Sequence, residues 1–235
     1  MGCKSLAVIT ARGGSKRIPG KNIKEFCGKP ILSYSIEAAL ESGLFDEVMV
    51  STDSSEIAET AKKYGAVVPF MRSEKTSDDF ATTADVLLEV FGKYLEQGND
   101  LETACCLYPT APFITADKLK EGREILSQEG IDMVNPVVRF SFPPQRAMII
   151  NGEKRLEMKW IENRTARSQD LEPFYHDCGQ FYWYDVKYFV EHNGIMDGHI
   201  APLIIDELYV QDIDNDSDWE IAEMKYKILK EKGLL

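Results

Sequence analysis

Short apolar runs alternate with segments of helical period through the first 138 residues, and that alternation leaves few folds open. The runs at 6–10, 47–51, 66–69, 103–107 and 133–138 have strand length, and the stretches between them, 30–42, 55–64, 82–97 and 116–128, read as helices. Strand then helix, repeated, predicts an α/β fold: a doubly wound, mostly parallel, Rossmann-like sheet with helices on both faces. Pro30 suits a first helical position, Ser54 or Ser55 can cap the next helix, and Thr115 can cap the one containing Asp117. From 139 to 180 the texture changes: Pro143-Pro144 is followed by the turn signal Asn151-Gly152, with short apolar runs at 148–150 and 156–160 on either side. That pattern predicts a β-hairpin excursion serving dimerisation or acting as a lid. Strands at 180–184 and 200–205, a short helix at 186–192 and a closing helix at 219–232 complete one domain over 1–235.

Directly after the first strand comes T-A-R-G-G-S-K-R-I-P-G-K-N, residues 10–22. Up to residue 29 the chain carries seven Lys and Arg against the single acid Glu25, a local charge of +6 where the remainder sums to −18. The cluster is therefore not a product of overall composition and reads as a polyanion site. Gly13 and Gly14 let backbone approach a phosphate, Ser15 offers a hydroxyl, and Lys16 and Lys21 supply point charges. A loop leaving a strand toward a helix is where open α/β sheets bind nucleotides. A purely solvated basic loop is the alternative.

Near the other end, V-Q-D-I-D-N-D-S-D-W follows the apolar stretch at 208–210 and places Asp212 and Asp214 two residues apart, on one side of an extended chain. Two like charges so placed repel unless a cation lies between them, and Mg²⁺ binds through one or two carboxylates plus substrate phosphates. Basic loop and aspartate pair together point to nucleotidyl transfer, in which cations neutralise a triphosphate and its departing pyrophosphate.

Other classes fit poorly. Five residues separate Gly14 from Gly20 where a P-loop has four, Asn22 follows Lys21 where Ser or Thr should hold magnesium, and no G-x-G-x-x-G occurs. A net charge of −12 and a pI near 4.8 argue against a nucleic-acid partner. The first apolar run is too short for a signal peptide and no run reaches membrane-spanning length, so the expectation is a cytoplasmic protein with no membrane partner. M-G-C-K-S matches a myristoylation pattern in part, but residues 6–9 read as a core strand. Cys3, Cys27, Cys105, Cys106 and Cys178 form no C-x-x-C pair and are expected reduced.

A-R-G-G-S-K-R-I-P-G-K-N (11–22), G-K-P-I-L (28–32), S-T-D (51–53), L-Y-P-T-A-P-F (107–113) and D-I-D (212–214) resemble the CMP-sialic acid synthetase family, cytidylyltransferases of nucleotide-diphospho-sugar transferase fold that activate acidic sugars. Segments 140–147 and 167–183 are similar to the branch acting on pseudaminic acid, whereas Tyr108, Ala111 and Asp177-Cys178-Gly179-Gln180 depart from the sialic acid pattern. The resemblance implies that CTP and a nine-carbon acidic sugar are the partners, that Mg²⁺ is the cofactor, and that the enzyme is a homodimer with shared sites. It implies that Arg12, Gly13, Gly14, Ser15, Lys16, Lys21 and Asn22 hold the phosphates and part of the cytidine. Arg72 would lie near the base, Thr82 or Thr83 would contact its edge, and Asp212 and Asp214 would hold the metal. Lys21, Arg12 and Asp214 are the candidate catalytic residues; a base for the attacking hydroxyl is left between Asp214 and a metal-bound hydroxide. Arg146, Arg164 and Arg167 are candidates for the sugar carboxylate, Gln145, His176, Asp177 and Gln180 for its polar groups, and Tyr108, Phe181 and Tyr182 for its walls. Asp53 reads as structural. A non-catalytic nucleotide-binding subunit is the competing class, and it would be expected to lack one of Lys16, Lys21, Asp212 or Asp214, all of which are present.

Overall fold

The computed structural model describes residues 2–235, and its strands take the odd and even residues of each apolar run into two separate cores. In chain order the strands are β1 (Ser5–Thr10), β2 (Glu25–Phe26), β3 (Lys29–Pro30), β4 (Glu47–Ser51), β5 (Thr103–Leu107), β6 (Met133–Arg139), β7 (Met148–Ile150), β8 (Leu156–Met158), β9 (Tyr175–Asp177), β10 (Phe181–Asp185) and β11 (Ile200–Ile204). The helices are α1 (Leu32–Ser42), α2 (Ser55–Lys63), α3 (Thr83–Glu96), α4 (Ala116–Leu126), α5 (Val186–Glu191) and α6 (Asp216–Glu231). The central sheet runs β11-β6-β10-β5-β1-β4, with β9 added to β6. Ala7, Ile9, Val48, Val50, Cys105 and Trp183 face α1, α2 and α4, while Leu6, Val8, Met49, Ala104 and Cys106 face α3 and α5. The adjacent cysteines thus serve opposite cores.

Five of the seven strands run the same way, and β10 and β9 run against them. Apolar periodicity carries no strand direction, which is why the sequence reading did not separate these two. The excursion leaves and returns at the same end of β6: the Phe140 amide donates to the Phe174 carbonyl (2.9 Å) and β9 pairs back onto β6. The next central strand must then run antiparallel. The predicted hairpin forms between β7 and β8, but Asn151 closes it by accepting the amides of Glu153 and Arg155, and Lys154 takes the positive φ in place of Gly152.

Three other expectations shift. Residues 66–69 contribute a single parallel bridge, Val67 to Met49, before Pro69 interrupts the ladder. Pro30 lies in β3 rather than at a helix start, because Cys27 and Gly28, both at positive φ, turn the chain into a β2–β3 hairpin. The 208–210 stretch is part of a 3₁₀ turn, Glu207–Tyr209, started by the Asp206 side chain. Ser54 and Thr115 cap α2 and α4 as anticipated, and α6 starts at Asp216, ahead of its expected Trp219, through a capping box between Asn215 and Asp218.

A third core, off the sheet, decides where the site lies. Phe26, Tyr34, Trp219 and Tyr226 meet edge to face at 5.1–5.6 Å, and Ile18 of the basic loop and Ile213 of the aspartate segment are both buried among them. Two segments nearly 200 positions apart are thereby packed against one another.

Candidate active site

β1 and β5 are parallel neighbours, and their carboxyl ends open onto a cavity of about 540 Å³ at the point where the strand order reverses. Thr10 and the basic loop form one wall, Tyr108, Pro109 and Thr110 another, and the segment leading into α3 the third. Of the residues singled out from sequence, Arg12, Ser15, Lys16, Lys21, Asn22, Arg72, Thr82, Thr83 and Tyr108 line it. Gly13 and Gly14 do not. The Gly13 amide donates to Asp53 (2.8 Å), and a Cβ there would come within 3.2 Å of Ser54. Asp53 is thus structural, fixing the loop, and the left-handed backbone of the loop falls on Gly20 instead.

Asn22 is buried and its amide donates to the Arg12 carbonyl (2.8 Å), which ties the two ends of the loop together. Arg72 is buried beneath the cavity floor, its guanidinium donating to Ser51 Oγ (3.0 Å) and the Ser51 carbonyl (2.6 Å). The two threonines separate by role. Thr82 is spent on the capping box of α3, its hydroxyl donating to Asp85 (2.7 Å), whereas Thr83 Oγ1 lies 3.3 Å from the Tyr108 hydroxyl and faces the cavity.

The aspartate pair adjoins this wall through Lys21. Its ammonium donates to the Ile213 carbonyl (2.5 Å), between Asp212 and Asp214, and Arg17 pairs with Asp214 (2.8 Å). Burial lowers the Lys21 pKa from its ordinary value, and Asp214 and then Asp212 oppose the shift. Among the described residues no three His, Cys, Asp or Glu side chains gather as a closed metal cage. Two carboxylates flanking a buried isoleucine nonetheless suit magnesium, which keeps waters and takes further oxygens from phosphate.

Asp79 joins the site unannounced by the sequence. It forms ion pairs with Arg12 (3.0 Å) and Lys16, and those bonds, Lys16 foremost, hold its carboxyl below the usual range. Arg17 and Thr76 also line the cavity. Ion-pair partners more than 60 positions apart leave no local pattern to read.

Of the residues expected at the sugar, Tyr108 lines this first cavity and the others do not. Gln180 is buried, its amide donating to the Tyr209 carbonyl, and Phe181 is in the sheet core. Gln145 bonds Glu172 within the excursion (2.8 Å), Arg146 reaches Ser168 (3.4 Å), Arg167 pairs with Asp170 (2.8 Å), and Arg164 borders a shallow hollow beside β8. Tyr182 is buried, edge-on to Tyr108 at 5.5 Å, and donates its hydroxyl to Asp177 (2.7 Å). Asp177 and His176 line a second cavity, of about 400 Å³, together with Asp212.

Residues 6–144 match the model of a family described as cytidylyltransferase. The chain is 42% identical over 230 residues to a pseudaminic acid cytidylyltransferase of Campylobacter jejuni, covering 98% of this chain and 99% of the relative. It is 32% identical to a CMP-N,N'-diacetyllegionaminic acid synthase of Legionella pneumophila, covering 96% and 97%. Among solved structures, a CMP:2-keto-3-deoxy-manno-octonic acid synthetase complexed with CTP superposes with a TM-score of 0.70 over 97% of this chain and 99% of that one, at 17% identity.

Proposed function

Because the chain belongs to the cytidylyltransferase family, we propose that it transfers CMP from CTP to a nine-carbon 2-keto acid, pseudaminic acid, releasing pyrophosphate. The observation that carries this reading is the meeting of the two halves of the site: Lys21, from the loop after β1, is bonded between two aspartates of the segment before α6. A triphosphate laid along Arg12, Ser15 and Lys16 would end its charge at Lys21.

In this reading the anomeric hydroxyl of the sugar gives up its proton and attacks the α-phosphorus in line, the bond from that phosphorus to the α–β bridging oxygen breaks, and the β- and γ-phosphates depart together as pyrophosphate, so catalysis is positioning and charge stabilisation. Arg12, Lys16 and Lys21 receive the charge that develops on the phosphoryl oxygens. Asn22 keeps the loop in register, and Arg72 with Thr83 faces the base. Magnesium, held by Asp212 and Asp214, would neutralise the leaving group. Enzyme, CTP, Mg²⁺ and pseudaminic acid together are expected to release pyrophosphate, and chelation of the metal to stop it. Lys21→Ala or Asp214→Asn should lower kcat by about 10²–10³ with the circular dichroism spectrum intact. Equal turnover of sialic acid would remove the pseudaminate assignment, and no turnover of any nine-carbon acid would remove the function.

The protein is a homodimer in this proposal, joined through the excursion, and it works in the cytoplasm. No helix among the described residues is long and apolar enough to cross a membrane.

A further inference from the structure

Resting on that reading, we propose that Gln180 and Lys225 are positioning residues for the metal-holding carboxylates, gripping the main chain that carries Asp212 and Asp214 and setting its distance from the nucleotide cavity. Residues 210–214 belong to no helix or strand, so their carbonyls have no ladder to supply donors. Among the described residues the carbonyls of Tyr209, Val210 and Ile213 accept no backbone amide. Each takes a side-chain donor instead: Gln180 donates its amide to Tyr209, Lys225 its ammonium to Val210 (2.8 Å), and Lys21 its ammonium to Ile213 (2.5 Å). The three donors come from three places in the fold: the residue before β10, the middle of α6 and the basic loop. Tyr209 and Val210 pack against the first core and Ile213 is buried in the third, whereas Asp212 is exposed and Asp214 half-buried. Fixing the backbone therefore fixes where the two carboxylates stand.

Gln180 works at both ends. Its backbone carbonyl accepts the amide of Tyr108 (2.8 Å), a residue in the wall of the nucleotide cavity, and its side chain reaches the carbonyl three residues before Asp212. One residue thus joins cavity wall to aspartate segment without lining the cavity itself. It is buried, so removing the amide leaves the Tyr209 carbonyl without a donor. A neutral amide makes this link without adding a charge that would compete for the aspartates. Lys225 donates to the carbonyls of Glu207 (3.4 Å) and Val210, either side of the 3₁₀ turn that leads into the segment. Magnesium demands near-ideal octahedral geometry, and the groups that orient its carboxylate ligands govern its affinity. A shift of this segment is therefore felt by the metal before it is felt by the nucleotide, whose cavity is lined by other residues.

The test is calorimetric binding of CTP to the full chain, once in saturating Mg²⁺ and once in EDTA, the ratio of the two affinities measuring how strongly the metal helps the nucleotide bind. Gln180→Met keeps the length of the side chain and removes its donor. It should leave CTP affinity in EDTA within about twofold of wild type and lower the ratio about 10-fold, the size of effect expected for a lost partner of a metal ligand. The Mg²⁺ concentration for half-maximal pyrophosphate release should rise to match. Lys225→Met, on the half-exposed face of α6, should move the ratio the same way by a few fold. A residue that only stabilises the fold would weaken CTP equally in both conditions, and that result, or an unchanged ratio in Gln180→Met, overturns the proposal. If Gln180→Met fails to fold, an unchanged ratio in Lys225→Met overturns it instead. A wild-type protein that binds CTP equally with and without Mg²⁺ removes the metal reading on which the proposal rests.

Discussion

At the scale of single residues, what the sequence made visible is what concentrates locally. Seven cations before residue 30 and two aspartates flanking one isoleucine stand out against an acidic chain, and the structure sets two of those cations, Arg17 and Lys21, beside the aspartate segment. Invisible were the residues whose role comes from a distant partner. Asp79 is the instructive case, because it is the anion that Arg12 and Lys16 hold across more than 60 positions of sequence. In the proposed reading an entering triphosphate displaces it, and its charge repels the ligand meanwhile. Solvent and salt screen exposed ion pairs, so exchanging one for another changes affinity only modestly. Asp79→Asn is therefore expected to tighten CTP binding by about 2- to 10-fold at low salt, by calorimetry, with the gain shrinking as salt rises. Weaker binding would mean instead that Asp79 positions the two cations and does not compete for them.

Elements were legible where one pattern suffices, and less so where several must agree. β1, β4, β5 and β6, with the helices between them, follow from apolar period and caps; the antiparallel β9 and β10 depend on where an excursion closes, which no period records. The approach to α3 is held by a contact that sequence does not announce. Glu89, in the second turn of α3, accepts from the Ser73 amide (3.0 Å) and hydroxyl (2.7 Å), from Thr76, and from Lys93 (2.6 Å). Burial raises this carboxyl, but the bonds from Lys93, Thr76 and Ser73 outweigh it and hold the pKa at about 2, down from 4.5. A depressed carboxyl stabilises the fold above its unfolded value and loses that contribution as pH falls through the folded value. The clamp should thus contribute up to about 3 kcal/mol at neutral pH and fade between pH 4.5 and 2. Urea midpoints of Glu89→Gln should lie below wild type at pH 7 and converge with it through that window. A constant gap across the window would place the stabilisation in packing. Because the clamped segment follows Arg72 and leads to Asp79, the same variant should weaken CTP binding at pH 7 as well.

At the scale of the whole molecule, the sheet explains where a nucleotide can bind, but the third core explains why the aspartates reach it. Ile18 and Ile213 are ordinary apolar residues in sequence, and only their common burial with Phe26, Trp219 and Tyr226 closes the site. The excursion has no such core. Between the neck at Phe140 and Phe174 it makes one two-stranded sheet, and a hairpin of that size is marginal alone in water. It nonetheless exposes Phe142 (88%), Ile150 (73%), Leu156 (66%) and Ile161 (66%), more apolar surface than an isolated soluble arm tolerates. A second copy of the chain offering the same face would bury these residues as a self-complementary, two-fold interface. Sedimentation equilibrium is expected to give twice the chain mass of 26.6 kDa, and Ile150→Glu with Leu156→Glu to give the monomer. The sharper expectation concerns activity. If a partner's excursion completes the sugar side of the site, the monomeric double variant keeps its affinity for CTP, since that cavity is built from one chain, and loses turnover of the acid. A monomer with wild-type kcat and KM for the acid would confine the excursion to assembly alone, and a wild-type protein sedimenting at 26.6 kDa would leave its apolar face without the partner proposed for it.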